Sequence, residues 1–323
     1  MVFWVTYPFS TLFYRLCTKD IFRSLIFTKD RIILPDDITC TIYTTKNISQ
    51  SMITKIKLYL QMFFGDPPHT PILDIPEEFI ITPTDFIIVL HYNSIIGTIR
   101  YHYMGEYINK ERIYCVDCFC IHPEWRKKGL GDFLLTELHS YANQLNIPYC
   151  MFLKEGTLIQ SIHFPLYSST YVYRKISENT IQSLNIYKLS VKQAHRMIDR
   201  WLELYPTMFV IRTLPTHSLP TQQWRLYKKG MHYVLACIQN TFQKLNNNTM
   251  GWITAWLESP CINDTIRKDA SEQISASNPF DYIWLNKEWI GTSTIWTNDG
   301  TFHWYSYQWT TGHNIGKSYC ILI

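Results

Sequence analysis

The sequence predicts an α/β protein, an α+β arrangement of helices on a mixed sheet, built from two similar halves. Three observations predict it. The chain has 323 residues, too many for one ordinary core and suited to two domains or to one unit made of two halves. Runs with strand-like and helix-like periodicity alternate along its whole length. The order hairpin, helix, strand, strand, met first before residue 176, recurs after residue 190, although no repeat is visible in the residues themselves.

Ile38 to Thr44 is rich in β-branched residues and reads as the first strand. Met52 to Phe64 then places Met52, Ile56, Tyr59, Leu60 and Phe63 at helical spacing, and Asp66-Pro67-Pro68 stops the helix. Phe86 to Leu90 and Ile95 to Tyr103 are strand-like runs joined by Tyr92-Asn93-Ser94, which predicts a hairpin. Arg112 to Ile121 is a longer strand ended by His122-Pro123. Gly129 to Leu145 puts Phe133, Leu134, Leu138, Tyr141 and Leu145 on one helical face, and Tyr149 to Leu153 is the next strand. In the second half, Val191 to Leu204 reads as an amphipathic helix, and Pro215 and Pro220 mark a loop. Tyr233 to Gln239 and Gly251 to Leu257 flank a polar turn containing Asn246-Asn247-Asn248. Thr265 to Ser275 is helical, while Tyr282 to Leu285, Phe302 to Trp309 and Tyr319 to Ile323 are strands.

Hydrophobic residues make up 46% of the chain and charged residues 17%, which excludes a disordered profile. The net charge is +4 with no block of five like charges, so the basic tracts of nucleic-acid binders are missing; a small polyanion needs only one local basic patch. Nine cysteines lack zinc-ligand spacing. The nearest set, Cys115, Cys118 and Cys120, sits on an apolar strand-like run and reads as reduced core thiols, with metal or redox use as the alternative. Met1 to Cys17 is apolar and aromatic, yet it lacks a basic opening, is interrupted by Pro8, and is too short to span a bilayer. The expectation is a cytoplasmic monomer with no metal, no nucleic-acid partner and no membrane span.

Arg126-Lys127-Lys128-Gly129-Leu130-Gly131 lies between a strand and a helix. Unpaired N–H groups at a helix N-terminus bind a pyrophosphate, glycines let the chain approach closely, and three cations add charge at the same place. The plainer alternative is a basic loop capped by glycines; a dinucleotide fingerprint is absent. In this context the turn resembles the Arg/Gln-x-x-Gly-x-Gly/Ala turn that holds the CoA pyrophosphate in the GNAT acyltransferase superfamily. That resemblance implies acyl-CoA binding at Arg126, Lys127, Lys128, Gly129, Leu130 and Gly131.

Further stretches make nearly the whole chain resemble the N-myristoyltransferase family. Phe3-Trp4-Val5-Thr6-Tyr7-Pro8 resembles its Phe-Trp-x-Thr-x-Pro segment, and Asp117-Cys118-Phe119-Cys120-Ile121-His122 its Asn-Phe-Leu-Cys-Val-His strand. Phe280-Asp281-Tyr282, Asn298-Asp299-Gly300 and Trp304-Tyr305-Ser306-Tyr307-Gln308-Trp309 are similar to its Phe-Asp-Val, Gly-Asp-Gly and Tyr-Tyr-Leu-Tyr-Asn-Trp sequence, and Tyr319-Cys320-Ile321-Leu322-Ile323 to its apolar C-terminus. The resemblance implies a tandem GNAT-like fold, two pseudo-duplicated halves sharing one extended saddle-like sheet. Residues 1–37, with Phe3 and Trp4, would cover the CoA, 38–189 would form the acyl-CoA-binding half, and 190–323 a peptide-binding half. The implied reaction transfers myristate from myristoyl-CoA to the N-terminal glycine of protein substrates. The main-chain N–H groups of Cys118 and Phe119 would form the oxyanion hole, and the C-terminal carboxylate of Ile323 would be the base. Asp117 would help hold the amine or a water, or is an ordinary strand residue. Asp299 would meet a basic peptide residue or is a turn aspartate, and Tyr305 and Tyr307 either contact peptide or pack in the core.

The sequence departs from the family at Gly65-Asp66-Pro67-Pro68, where relatives carry an acidic run, and at Leu153-Lys154-Glu155-Gly156, where they carry Tyr-Thr-Ala-Gly. The basic turn also reads more like that of a general acetyltransferase. An acetyl-CoA-dependent N-acetyltransferase and a catalytically degenerate acyl-CoA-binding module are therefore the alternatives. His122 and His217 receive no assigned role.

Overall fold

The computed structural model describes residues 23–24, 33–65, 72–106, 112–147, 149–159, 165–176, 185–204, 209–211, 222–307, 309–310 and 320–322. The chain divides into two compact units. The first comprises residues 1–104, 110–166 and 303–314, and the second 105–109, 167–302 and 315–323. The division falls at Leu166/Tyr167, and residues 303–314 belong to the first unit. The cause is visible in the packing: Leu166 N donates to Trp304 O at 2.7 Å, and Tyr305 is fully buried in the first core.

The first unit contains β1 (Arg23–Ser24), β2 (Thr39–Tyr43), α1 (Gln50–Phe63), β3 (Ile72–Leu73), β4 (Phe86–Tyr92), β5 (Ser94–Glu106), β6 (Arg112–Ile121), α2 (Leu130–Gln144) and β7 (Cys150–Glu155). Its sheet runs β2-β4-β5-β6-β7. β2 and β4, and β4 and β5, pair antiparallel, the latter through the expected hairpin at Asn93, whose φ is +57°. β6 and β7 pair in parallel at Tyr114↔Cys150, Cys115↔Met151 and Val116↔Phe152. Beyond these positions β6 continues to Ile121 while the ladder to β7 stops, so the sheet opens there. Phe133, Leu134, Leu135, Leu138 and Ala142 of α2 pack on Phe86, Ile88, Leu90, Ile99, Tyr101 and Tyr114 of the sheet. Each buried leucine or phenylalanine stabilises the fold by about 1.5–3 kcal/mol, so the helix that starts at the basic turn is fixed to the sheet.

The second unit contains β8 (Tyr167–Lys175), β9 (Ile186–Leu189), α3 (Val191–Leu204), β10 (Phe209–Ile211), β11 (Gln223–Lys229), β12 (His232–Leu245), β13 (Asn248–Glu258), α4 (Asp264–Ala276), β14 (Tyr282–Asn286), the 297–302 part of β15 (Thr297–Tyr307), and β17 (Cys320–Leu322), which follows β16 (Trp309–Thr310). Its sheet runs β8-β14-β13-β12-β11-β9, antiparallel except for the parallel pair β13/β14. Ala270 and Ile274 of α4 pack with Val234, Ala236, Ile253, Ile283 and Leu285, whereas Ala194, Ile198 and Trp201 of α3 pack with Trp224, Leu235, Cys237, Ala255 and Leu257. The two clusters draw on alternating residues of the same strands, so a helix covers each face. β12-β13-α4-β14 repeats the order of β5-β6-α2-β7, which is the recurrence the periodicity predicts.

Candidate active site

The site is built on β6. Cys118 has a left-handed φ of +47°, uncommon for a non-glycine residue and the mark of a local irregularity in the strand. Its carbonyl accepts a hydrogen bond from Thr98 Oγ1 at 2.8 Å. The preceding residue, Asp117, is held by a bidentate pair: Arg100 Nε donates to Oδ1 and Nη2 to Oδ2, both at 2.6 Å. Arg100 is 6% exposed and its Nη1 also donates to the carbonyls of Phe79 (2.6 Å) and Ile80 (3.0 Å). Asp117 is therefore engaged by a buried guanidinium rather than presented as an unoccupied carboxylate. Close by, Asp85 accepts from Thr82 N (3.0 Å) and Tyr103 N (2.9 Å) and lies 3.0 Å from His102 Nδ1. Burial alone would push its pKa up, but His102, Arg100 and the Tyr103 amide prevail and lower it to about 2.

The three neighbouring thiols are poor nucleophiles. Burial pushes Cys115 and Cys118 well above the ordinary thiol range and Cys120 up to about 11. They pack as core thiols, and Tyr59 of α1 donates its hydroxyl to Cys120 O at 3.4 Å.

After β6, His122 turns the chain into a short 3-10 helix, Pro123–Trp125. Its Nδ1 accepts from Glu124 N at 3.3 Å and its ring lies 4.4 Å from that of Phe63, so it serves the turn. Arg126 Nε donates to Ile121 O at 3.1 Å, and Lys128 Nζ rests 4.5 Å above the Trp125 ring. Arg126, Lys127, Lys128 and Gly129 are exposed. Lys127 and Gly129 adopt φ of +64° and +81°, and no atom lies within 4 Å of where a Gly129 Cβ would stand. Gly129 is the N-cap of α2 and supplies no side-chain cap; the first helical bond runs from Phe133 N to Gly129 O at 3.0 Å. The turn thus presents main-chain donors, the positive end of a helix and three cations to open space. Leu130 is 4% exposed and contributes backbone alone, and Gly131 lies in the first helical turn.

The loop after β7 is pinned from β15: His303 Nε2 lies 2.7 Å from Gly156 O, and Ile159 N donates to Tyr305 Oη at 3.0 Å. Lys154 Nζ donates to Glu155 O at 3.1 Å and to Thr157 O, and burial lowers its pKa. Tyr305, fully buried, is a core residue. Asp299 is exposed and lies inside β15 rather than in a turn. Tyr307 is in the same strand, and its side chain lies outside the described residues, as do Phe3, Trp4, Asp66, His217 and Ile323. Asp117, Cys118, Phe119 and residues 126–131 are brought together by β6 and α2. Sequence reasoning missed Thr98, Arg100, His102 and Asp85; for the first three the signal was polar residues at alternate positions 98, 100 and 102 of the otherwise apolar β5, and Asp85, just before β4, gave none. Among the described residues no group of His, Cys, Asp and Glu could hold a metal ion, and no helix is long and apolar enough to cross a membrane.

A sheet that opens between two parallel strands, beside a basic glycine turn that starts a helix, fits a GNAT fold. Residues 54–164 match the acetyltransferase (GNAT) family model. Over nearly its whole length, the chain shares the fold of N-myristoyltransferase. It superimposes on Saccharomyces cerevisiae N-myristoyltransferase with bound myristoyl-CoA and inhibitors at a TM-score of 0.67 and 10% identity, covering 96% of this chain and 89% of that one. A second structure of that enzyme with bound myristoyl-CoA gives 0.66 at 10% identity, covering 97% and 91%, and a third 0.64 at 10%, covering 96% and 92%. No curated protein matches the sequence.

Proposed function

We propose that the chain is a protein N-acyltransferase that moves myristate from myristoyl-CoA to the N-terminal glycine of protein substrates. The observation that carries this is the opening of the β6/β7 ladder beyond Val116 and Phe152, with the left-handed Cys118 on one side and the exposed basic turn at the end of β6. The pyrophosphate of CoA would take the amides of residues 129–131 and the cations Arg126, Lys127 and Lys128, and Phe3 and Trp4 would close over the CoA. The thioester would lie along β6. The lone pair of the glycine amine attacks the thioester carbon, and the C–N bond forms. The resulting oxyanion is met by the N–H groups of Cys118 and Phe119. As the C–S bond breaks, CoA leaves as a thiolate, and the proton shed by the amine passes to the Ile323 carboxylate and then to the thiolate. Asp299, Tyr305 and Tyr307 were the expected peptide contacts; a buried Tyr305 leaves Asp299 and Tyr307 for that role. A monomeric protein in the cytoplasm goes with this function.

The deciding experiment is calorimetry with myristoyl-CoA and acetyl-CoA on protein with an unextended C-terminus. Each buried methylene contributes about 0.8 kcal/mol, so a fitted acyl pocket should favour the longer chain by several orders of magnitude. Equal affinities would move the assignment to acetyl transfer, the second reading, which the matched family model and the paired glycines Gly129 and Gly131 favour. If Ile323 supplies the base, a C-terminal tag abolishes turnover and leaves acyl-CoA binding intact.

A further inference from the structure

We infer that Thr98 is a positioning residue for acyl transfer: its hydroxyl fixes the Cys118–Phe119 peptide plane so that the Phe119 N–H faces the developing oxyanion. This rests on the proposed function for the identity of the reacting thioester. The orientation itself follows from the strand. In a trans peptide the C=O of one residue and the N–H of the next point in opposite directions. Cys118 O is held toward Thr98 on β5 at 2.8 Å, so Phe119 N–H is directed away from Thr98. β6 lies between β5 and β7, and past Val116 it has no ladder to β7, so the direction away from β5 leads to the opening.

A left-handed Cys118 persists only where its surroundings over-determine it. Thr98 and Arg100 supply that constraint. Two positions apart on β5, they share a face and grip consecutive residues of β6, Thr98 the carbonyl of Cys118 and Arg100 the carboxylate of Asp117. The two contacts do different work. Arg100 fixes the residue before the plane, whereas Thr98 binds the plane itself. A hydrogen bond to a carbonyl also polarises its amide, which makes the N–H on the far side a stronger donor. Thr98 is completely buried, valine has nearly the same shape, and the hydroxyl is accounted for by this one bond.

Thr98→Val and Thr98→Ser in the full chain test the inference. With the acyl-CoA that the wild type uses, Thr98→Val should lower kcat by roughly 10- to 100-fold, a large part of what an oxyanion donor contributes, with KM and Kd for acyl-CoA unchanged. Thr98→Ser should restore most of the rate. In amide NMR spectra, acyl-CoA should move the Phe119 proton downfield in wild type and Thr98→Ser, and clearly less in Thr98→Val. A wild-type kcat in Thr98→Val, a Phe119 amide that ignores acyl-CoA, or a fall in rate matched by weaker acyl-CoA binding and left unrescued by serine would each overturn the inference while the acyltransferase assignment stands. Wild-type protein that binds neither myristoyl-CoA nor acetyl-CoA would overturn that assignment and this inference with it.

Discussion

The segment β6-α2-β7 of the first unit and β13-α4-β14 of the second are built alike. Each pairs its flanking strands in parallel at three positions and then lets the first strand run on, Val116 to Ile121 in one and Trp252 to Glu258 in the other. Their turns differ. The first brings Arg126, Lys127 and Lys128 to an uncapped helix end with open space at Gly129. The second caps itself, because Asn263 Oδ1 accepts from Ile266 N at 2.9 Å; both helices carry a carboxylate in the first turn, Asp132 in α2 and Asp264 in α4. The second turn is also covered: a Cβ on Gly291 would stand 2.1 Å from Asp264 O. The beginning of the parallel pair is filled too, since a Cβ on Gly251 would meet the Phe280 ring at 2.2 Å. A parallel pair that opens is thus a scaffold shared by both units. What would make a polyphosphate site of it is a helix end with no side-chain cap from its N-cap residue, uncovered, and surrounded by cations.

The sharpest way to break this contrast is to remove the cations. Arg126→Ala, Lys127→Ala and Lys128→Ala together should cost about 3–4 kcal/mol of acyl-CoA binding, roughly 100- to 1,000-fold in Kd by calorimetry, with thermal stability little changed. Retained affinity would mean that the first turn is no more a phosphate site than the second. The junctions also differ in what holds them, a buried guanidinium on a half-buried carboxylate at β6 against ring packing at Trp252 of β13. Asp117→Ala leaves the Arg100 charge buried without its partner and should destabilise the protein by about 3 kcal/mol in urea unfolding. An unchanged midpoint would show that the pair is dispensable to the strand.

Smaller is the expected effect of acid on the same network. The Asp85 pKa is depressed in the folded protein, so its contribution, about 2 kcal/mol, is present above the unfolded value and is lost as the pH falls from about 4 toward 2. Unfolding of the wild type across that range should therefore steepen relative to Asp85→Asn; parallel curves would remove Asp85 from the account. The smallest effect belongs to the second turn, where Asn263→Ala should cost about 1 kcal/mol of stability and leave acyl-CoA affinity alone.

Most elements of this fold were legible as periodicity. Arg112–Ile121 and Val191–Leu204 match their expected bounds, and the α2 expectation of Gly129 to Leu145 differs from the helix only by its two capping residues. β11 escaped because its polar positions, Gln223, Arg225, Lys228 and Lys229, resemble a loop. The structure buries Arg225 by giving its guanidinium Ser277 O, Trp224 O and Gln223 Oε1, none of which the local pattern announces. The basic turn was readable because a contiguous stretch carries its chemistry. The Arg100–Asp117 pair was not, since it joins residues on different strands and is set by register, which sequence spacing does not report. For the same reason Asp117, read alone, leaves open both a role in holding the amine or a water and that of an ordinary strand residue.

α1 opens on Ser49, whose side chain accepts from Met52 N, and α4 on Asn263, but α2 opens on a glycine that gives its amides nothing. An uncapped helix end is an incomplete element of secondary structure, and an anion that docks there finishes it. The substrate's diphosphate would then do for α2 what serine and asparagine do for its neighbours, so that loading with acyl-CoA is at once a binding event and the last step in folding the helix that receives it. Amide exchange at Gly129 to Gly131 should slow as CoA arrives, and the first turn of α2 should loosen each time product leaves.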